Sequence, residues 1–321
     1  MELSQIYAPV NNDLLKVEAA LKAVSQVDFP WLSQLLNHSL EAGGKRIRPA
    51  LTLLSGQFYN YKLEFLLNMA LSIELMHTAT LIHDDAIDKS DMRRGRATVY
   101  KIWGTEPAIL LGDYLFAQAG VAVSGTQSIR CIRAFSETLM TISRGELNQA
   151  QNAFNLHQTR EQYFQRIYSK TASLFCLATE SGGILSDAPE SSIQLLKSYG
   201  HDVGIAFQIV DDILDFTGTE QELGKPSGSD LIQGTLTLPA IMLNERYPAD
   251  NPVKRIFEGQ RNPEYIRMAI DQIRNSSIVD DCYKIARGYC EKACQTLQTL
   301  PAKPCQQSLR ELADFIVKRR K

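Results

Sequence analysis

The sequence lacks an excess of one charge, paired cysteines and long apolar runs. Its formal net charge is -2 over 321 residues, so no global basic field could hold nucleic acid, and we expect no nucleic-acid partner. The six cysteines include no C-x-x-C pair and the N-terminus shows no signal segment, which together favour a reducing cytoplasm. Charged residues interrupt every apolar run before it reaches about 18 residues. We therefore expect no membrane span.

Strand signals are also missing. Strict alternation of apolar and polar residues is hard to find, and no Asn-Gly or Asp-Gly turn separates apolar runs. Apolar residues instead recur at helical spacing over 63–81, 108–123, 163–177, 193–214 and 278–297. Without a linker-like composition shift, an internal repeat or a low-complexity tract, the sequence predicts an all-α fold in a single domain over residues 1–321.

Two segments share the acidic pattern D-D-x-x-D, at residues 84–88 and 211–215. Each lies in an apolar helical segment, and its first and last aspartates are four residues apart. They therefore share one helix face and can present oxygens to the same ion. The carboxylates are Asp84, Asp85 and Asp88 in the first cluster and Asp211, Asp212 and Asp215 in the second cluster.

Like charges on one helix face repel, and aspartate has a poor helix propensity, so each cluster costs stability unless a cation binds there. Hard oxygen ligands indicate magnesium or manganese, and magnesium usually completes its shell with substrate phosphate. A diphosphate ligand is therefore predicted. The alternatives are a solvated acidic helix end and a calcium site, although the spaced ligands and central glycine of an EF-hand loop are absent.

Basic residues precede and follow the first cluster. Residues 43–49 form a glycine-containing turn with three cations, and 93–96 contains three arginines, whose guanidinium forks match phosphate oxygens. His77 lies two helical turns before Asp84 on the same stripe, where it could donate to a second diphosphate. In isolation, the basic turns also fit a solvated surface, and His77 a satisfied core histidine. Lys170, Thr171 and Gln208 are equally ambiguous alone.

These residues together resemble the trans-isoprenyl diphosphate synthases. Both acidic clusters match the aspartate-rich motifs of that family, and the similarity covers nearly the whole chain, through 43–49, 112–113, 170–172, 224–225 and 237–239. The resemblance implies an all-helical fold around a deep central cavity, usually in a homodimer. It also implies a magnesium-dependent prenyltransferase, with several ions per site, that condenses isopentenyl diphosphate with an allylic diphosphate.

The resemblance assigns roles to matching positions. Isopentenyl diphosphate would be held by Lys45, Arg48, His77 and Arg94. The allylic diphosphate would be held by Arg93, Lys170, Thr171, Gln208 and Lys225. Asp84, Asp88 and Asp211 would be the principal magnesium ligands, supported by Asp85, Asp212 and Asp215. One departure is Thr235, where family members often have lysine, which puts a second lysine on the allylic diphosphate in doubt.

The C-terminal basic residues 318–321 are similar to farnesyl diphosphate synthase tails, which close over the isopentenyl site. A solvated helix end favoured by the helix dipole is the alternative.

Small residues before the first cluster predict a long product. Short-chain family members have a bulky aromatic residue where this sequence has Ala79 and Thr80, and small residues there resemble the long-chain synthases. We expect a heptaprenyl to decaprenyl product, released with peripheral membrane contact. A floor formed by Met76, Ile73 or residues near Leu110 to Phe116 would leave geranylgeranyl diphosphate as the alternative product. Two other hypotheses about function remain, a non-catalytic subunit of a heteromeric synthase and a terpene cyclase.

Overall fold

The computed structural model describes residues 2–41, 43–219 and 226–319. The chain is 76% helical, which confirms the all-α prediction. The only strands in these ranges, Met92–Arg93 and Arg96–Ala97, form a short antiparallel hairpin. Its turn residues, Arg94 and Gly95, have φ of +52° and +74°, as a two-residue type I′ turn requires. The sequence did not predict this hairpin, because arginine is not typical of the first turn position.

Helices make up most of the described chain, and proline in the first turn marks the start of several of them. The α-helices are Leu3–Ile6, Asn11–Val24, Pro30–Leu40, Ile47–Gly56, Leu63–Ile87, Val99–Trp103, Thr105–Ser124, Ile129–Gln151, Arg160–Ile167, Ser173–Leu185, Glu190–Thr217, Ser229–Ile232, Leu238–Arg246, Pro252–Phe257, Pro263–Arg274, Ile278–Leu297 and Pro304–Lys318. A 3-10 turn spans Ala8–Val10 and a π turn spans Tyr168–Ala172.

The chain forms two compact units. The first unit comprises 1–139, 174–200 and 293–312, and the second unit comprises 140–173, 201–292 and 313–321. The single domain that the sequence predicts stays a prediction. In the first unit, the helix Leu63–Ile87 packs against Thr105–Ser124 and Ile47–Gly56. Apolar residues on that helix, including Met69, Ile73 and Met76, are completely buried and form the core that supports the first cluster.

The second unit places the second cluster on the helical segment 201–217. The helices Pro252–Phe257 and Pro263–Arg274 pack against each other and against Leu238–Arg246. Tyr163 and Phe216 are among the largest fully buried side chains of the chain. The six cysteines, which all lie in the described residues, form no disulfide with one another, and five of them are buried.

Two helices are long and apolar enough to cross a membrane by length and composition alone. They are Leu63–Ile87 and Thr105–Ser124, and 56% and 39% of their most apolar windows are buried within the protein. Neither segment is an uninterrupted apolar run, which explains why inspection for such runs did not single them out. The core helix of a globular protein meets the same criterion, so this finding is weak evidence for a membrane span.

A glycine allows a close helix approach within the first unit. A Cβ on Gly200 would lie 2.6 Å from the carbonyl oxygen of Phe175 and 3.0 Å from Cα of Cys176. These backbone atoms belong to the helix Ser173–Leu185 and cannot yield as a flexible side chain would. In contrast, a Cβ on Gly288 would meet no atom within 4 Å, which makes this helical glycine a matched control.

We expect Gly200→Ala to lower the free energy of unfolding by about 1–3 kcal/mol, the usual cost of overpacking a core. Gly288→Ala should raise it by up to about 1 kcal/mol, because alanine has the higher helix propensity. Thermal denaturation followed by circular dichroism measures both changes. An unchanged or higher midpoint for Gly200→Ala would contradict the close approach.

Candidate functional site

Both acidic clusters lie at the C-terminal ends of long helices. Asp84 and Asp85 occupy the last turn of Leu63–Ile87, and Asp88 is the residue that caps it. The second cluster occupies the last two turns of Glu190–Thr217. The helix dipole places partial negative charge at this end, so the carboxylates are opposed by the helix as well as by one another. A bound cation would offset both effects.

In the first cluster, the middle carboxylate is engaged by the protein. Arg93 Nε donates to both oxygens of Asp85 at 2.9 Å, and a terminal nitrogen of Arg93 lies 2.8 Å from Oδ1. Burial raises the pKa of Asp85, and the adjacent guanidinium opposes that rise. Asp84 is half-buried and Asp88 is exposed. Asp85 therefore positions Arg93, and the two outer carboxylates remain accessible to solvent.

In the second cluster, Asp212 is buried within a hydrogen-bond chain. It accepts from the Tyr163 hydroxyl at 2.7 Å and from Gln208 Nε2 at 2.8 Å, and Gln208 Oε1 in turn accepts from the Thr171 hydroxyl at 2.6 Å. Burial raises the pKa of Asp212, and the carboxylate of Asp230 raises it further. The structure thus brings together Thr171 and Gln208, which the resemblance assigns to the same diphosphate, and adds Tyr163, for which no sequence pattern indicated a role.

Asp215 anchors the segment that follows the second cluster. Its carboxylate accepts from Ser229 Oγ at 2.9 Å and from the Asp230 backbone N–H at 3.3 Å, at the start of the helix Ser229–Ile232. Asp211 differs from its neighbours because 38% of its side chain is exposed. The accessible carboxylates of the two clusters are therefore Asp84, Asp88 and Asp211, the three that the resemblance assigns to magnesium.

The donor set fits a hard divalent cation. Within 2–41, 43–219 and 226–319, no three His, Cys, Asp or Glu side chains are close enough together to hold a metal ion. A site built from few carboxylates leaves coordination positions for water and for phosphate oxygens, which is the arrangement that magnesium favours. Soft thiolate and imidazole ligands, which zinc requires, are not gathered here.

A basic pocket that opens to solvent lies beside the first cluster in the first unit. Burial lowers the pKa of His77 well below its usual value, and the charges of Arg48, Arg94, Arg93 and Arg46 lower it further. A neutral imidazole surrounded by guanidinium groups is suited to donate a hydrogen bond to an anion. Charged and polar residues lining the pocket include His38, Arg46, Glu74, His77, Asp85, Arg93, Arg94 and Arg96.

Arg46 holds the basic turn in place, although the resemblance gave it no role. Its Nε lies 2.5 Å from Glu18 and its NH1 lies 2.7 Å from Glu74, and its φ is +49°. The Tyr7 hydroxyl donates to the Lys45 carbonyl at 2.9 Å. With the backbone held on both sides, the side chain of Lys45 is left exposed. Arg46 therefore supports the predicted phosphate ligands through the backbone.

Lys170 lies on the π turn Tyr168–Ala172, and π turns often occur at functional sites. Its Nζ is 2.8 Å from Glu146 Oε1, a partner that the sequence did not indicate. The buried Arg166 donates to the Leu236 carbonyl at 2.6 Å and so fixes the segment beside Thr235. Lys225, which the resemblance assigns to the allylic diphosphate, lies outside the described residues.

The residues predicted to set product length differ in burial. Ala79 and Met76 are completely buried. Thr80 is half-buried, and its hydroxyl donates to the His77 carbonyl at 2.8 Å. Ala79, whose importance comes from the family alone, is therefore the position where a larger side chain would enter the interior.

Comparison with known proteins gives a consistent result. The family model described as polyprenyl synthetase matches residues 29–273. The chain is 37% identical over 322 residues to heptaprenyl diphosphate synthase component 2 of Geobacillus stearothermophilus, covering 99% of each protein. A decaprenyl diphosphate synthase from Rhodobacter capsulatus is 35% identical with a TM-score of 0.92, and 100% of both chains is covered.

A third relative was solved with ligands. A polyprenyl synthase from Caulobacter crescentus CB15, complexed with calcium and isoprenyl diphosphate, is 31% identical with a TM-score of 0.95. The match covers 100% of this chain and 98% of that one.

We expect the His77 imidazole to be neutral at about pH 6 in the ligand-free chain, because burial and four guanidinium groups lower its pKa from 6.5. Inorganic pyrophosphate should raise that pKa by offsetting the positive charge. Since the unfolded chain binds this proton more readily, the contribution of His77 to stability is present above pH 6.5 and is lost as the pH falls below it.

Histidine NMR signals titrated with and without pyrophosphate measure both effects, and His77→Gln assigns the signal. Titration of His77 at or above pH 6.5 without pyrophosphate would contradict the lowered pKa.

Proposed function

This chain belongs to the polyprenyl synthetase family, and we propose that its acidic clusters and basic pocket carry out a magnesium-dependent prenyl transfer. The chain is a trans-polyprenyl diphosphate synthase, which condenses isopentenyl diphosphate with an allylic diphosphate into products longer than farnesyl diphosphate. One observation carries the assignment of the site. The only accessible carboxylates of the two clusters are Asp84, Asp88 and Asp211.

We assign isopentenyl diphosphate to the basic pocket of the first unit. Its diphosphate would be held by His77 and Arg94, which line the pocket, together with Lys45 and Arg48 from the adjacent basic turn. Burial lowers the pKa of His77 most, and the further lowering by four arginines supports this assignment, because it places positive charge around the imidazole. Arg94 also donates to the carbonyl of Gly43, which links the hairpin to the basic turn. These contacts preorganise cations for an anionic ligand.

In the second unit, we assign the allylic diphosphate to Lys170, Thr171 and Gln208. Asp84 and Asp88 would hold magnesium at the first cluster, and Asp211 would hold it at the second cluster. Bound magnesium supplies charge neutralisation that stabilises the diphosphate as a leaving group. The calcium and isoprenyl diphosphate in the Caulobacter structure support a divalent cation beside a prenyl diphosphate.

The chemistry then requires positioning rather than a protein nucleophile. The bond between the allylic carbon and its diphosphate oxygen breaks, and the double bond of isopentenyl diphosphate forms a new carbon–carbon bond to that allylic carbon. The resulting cation loses a proton, for which the departing diphosphate is an available base. The protein holds both diphosphates and keeps water from the allylic cation. No serine, cysteine or histidine nucleophile is needed.

We propose that the chain forms a homodimer through the helix Thr105–Ser124. Only 39% of the apolar window of this helix is buried. Ile109, Leu110 and Val121 are 43%, 59% and 68% exposed. An exposed apolar helix face of this kind is expected to be covered by another surface.

A second candidate assembly is a complex with a different chain. It is favoured by the name component 2 of the Geobacillus relative.

We also propose a cytoplasmic location, in which the free cysteines would stay reduced. A long polyprenyl product is strongly apolar, so its release would bring the protein into peripheral contact with a membrane.

The central test uses the purified chain alone with magnesium, farnesyl diphosphate and labelled isopentenyl diphosphate. We expect products in the heptaprenyl to decaprenyl range, because the side chain of Ala79 is small at the position where short-chain family members carry a bulky aromatic residue. Thin-layer or liquid chromatography sizes them. Ala79→Tyr should shorten the product more than Thr80→Tyr, because Thr80, which is also predicted to set product length, is only half-buried.

If geranylgeranyl diphosphate is the longest product, the chain is a geranylgeranyl diphosphate synthase and the long-chain assignment is wrong. Turnover that requires a second protein would instead favour the heteromeric assembly.

For the dimer, we expect Leu110→Glu combined with Val121→Glu to give a monomer, because charges on the apolar face would have to be desolvated on association. Light scattering after size-exclusion chromatography measures the mass. Met268→Glu, at an exposed methionine on the helix Pro263–Arg274, is the control. A dimer that survives the double substitution would locate the interface elsewhere.

A further inference from the structure

Asp211, the accessible carboxylate of the second cluster, is paired with an arginine near the C-terminal end of the chain. Arg319 follows the helix Pro304–Lys318, and its NH2 nitrogen lies 2.7 Å from Asp211 Oδ1. The same nitrogen donates to the Phe207 carbonyl at 2.7 Å, and the guanidinium carbon lies 3.8 Å from the centre of the Phe207 ring. Phe207 and Asp211 are one helical turn apart, so Arg319 bridges that turn.

Stability does not explain a charge buried in this position. Only 5% of the Arg319 side chain is exposed. Its Nε is buried with no hydrogen-bond partner among the residues that the structure describes. A buried donor without an acceptor lowers stability, and apolar residues often replace buried ion pairs without loss. The arginine is therefore better explained by its effect on Asp211.

Arg319 restrains Asp211 through a single oxygen. Oδ1 is engaged, whereas 38% of the side chain remains exposed. The positive charge of Arg319 also offsets repulsion from Asp212 and Asp215, which are buried nearby on the same helix. The first cluster has a comparable pair, in which Arg93 holds Asp85. Carboxylates that bind metals are commonly oriented by a further hydrogen-bond partner, and loss of that partner weakens metal binding.

We propose that Arg319 is a positioning residue, which orients Asp211 for a divalent cation and so links the end of the chain to the metal site. This inference rests on the proposed function and deepens it. It places the described part of the basic tail at the second cluster and gives it a role distinct from holding isopentenyl diphosphate. The opposite possibility is that Arg319 competes with the cation and must leave Asp211 before the cation binds. The two possibilities predict opposite changes in manganese affinity when Arg319 is replaced.

The test measures manganese binding by electron paramagnetic resonance in the presence of inorganic pyrophosphate. We expect Arg319→Gln to weaken manganese binding about tenfold to a hundredfold, the usual effect of removing a partner of a metal ligand. Arg319→Lys should have a smaller effect, since it keeps the charge but not the guanidinium fork. Lys318→Gln is the matched control, because Lys318 is 77% exposed and pairs only distantly with Asp314, at 3.6 Å.

Turnover provides a second readout. Excess magnesium should restore the rate of Arg319→Gln, as expected when only metal affinity is impaired, and the KM for isopentenyl diphosphate should stay unchanged. Unchanged or tighter manganese binding by a folded Arg319→Gln chain would overturn the inference. If Arg319→Gln does not fold, the manganese affinity of Arg319→Lys is compared with that of the unaltered chain, and unchanged or tighter binding would again overturn the inference. Failure of the unaltered chain to bind manganese with pyrophosphate would overturn the proposed metal-dependent function together with this inference.

Discussion

Repulsion among carboxylates at the ends of two long helices is the constraint on which the site depends. Protein donors neutralise part of that charge, because Arg93 pairs with Asp85 and Tyr163 donates to Asp212. The outer carboxylates Asp84 and Asp88 stay accessible to solvent. Their oxygens can therefore be reached by a cation, and a cation held by so few protein ligands has positions open to phosphate. The same arrangement thus accounts for metal dependence and for the choice of a diphosphate substrate.

The long helices could be predicted because buried apolar residues at helical spacing are a local property of the sequence. The hairpin and the π turn could not. The hairpin requires positive φ at Arg94, and arginine carries no local signal for that conformation. The π turn lies inside the apolar segment 163–177, whose spacing predicts one continuous helix. Only contacts distant in the sequence select these exceptions.

The residues of the site also divide into those with a local sequence signal and those that depend on distant contacts. The aspartates and several cations could be predicted because charge, spacing and a family motif identify them together. Arg46 lay within the same basic turn, but its pairing with Glu18 and Glu74 depends on residues 28 positions away in either direction. The pairing of Glu146 with Lys170 and that of Arg319 with Asp211 were not predicted, because only the fold brings these partners close together. Residues that position other residues therefore need the structure to be recognised.

The π turn has a consequence for how this enzyme can change in length. A π turn accommodates an additional residue within a continuous helix. Loss of one residue from Tyr168–Ala172 would let the segment wind as a regular α-helix, which removes the widened turn that carries Lys170 and Thr171. Thr171 would then lose the backbone geometry that brings it to Gln208, its present hydrogen-bond partner. A one-residue deletion here, unlike one in a surface loop, would therefore disturb the second cluster even where Lys170 and Thr171 are both retained.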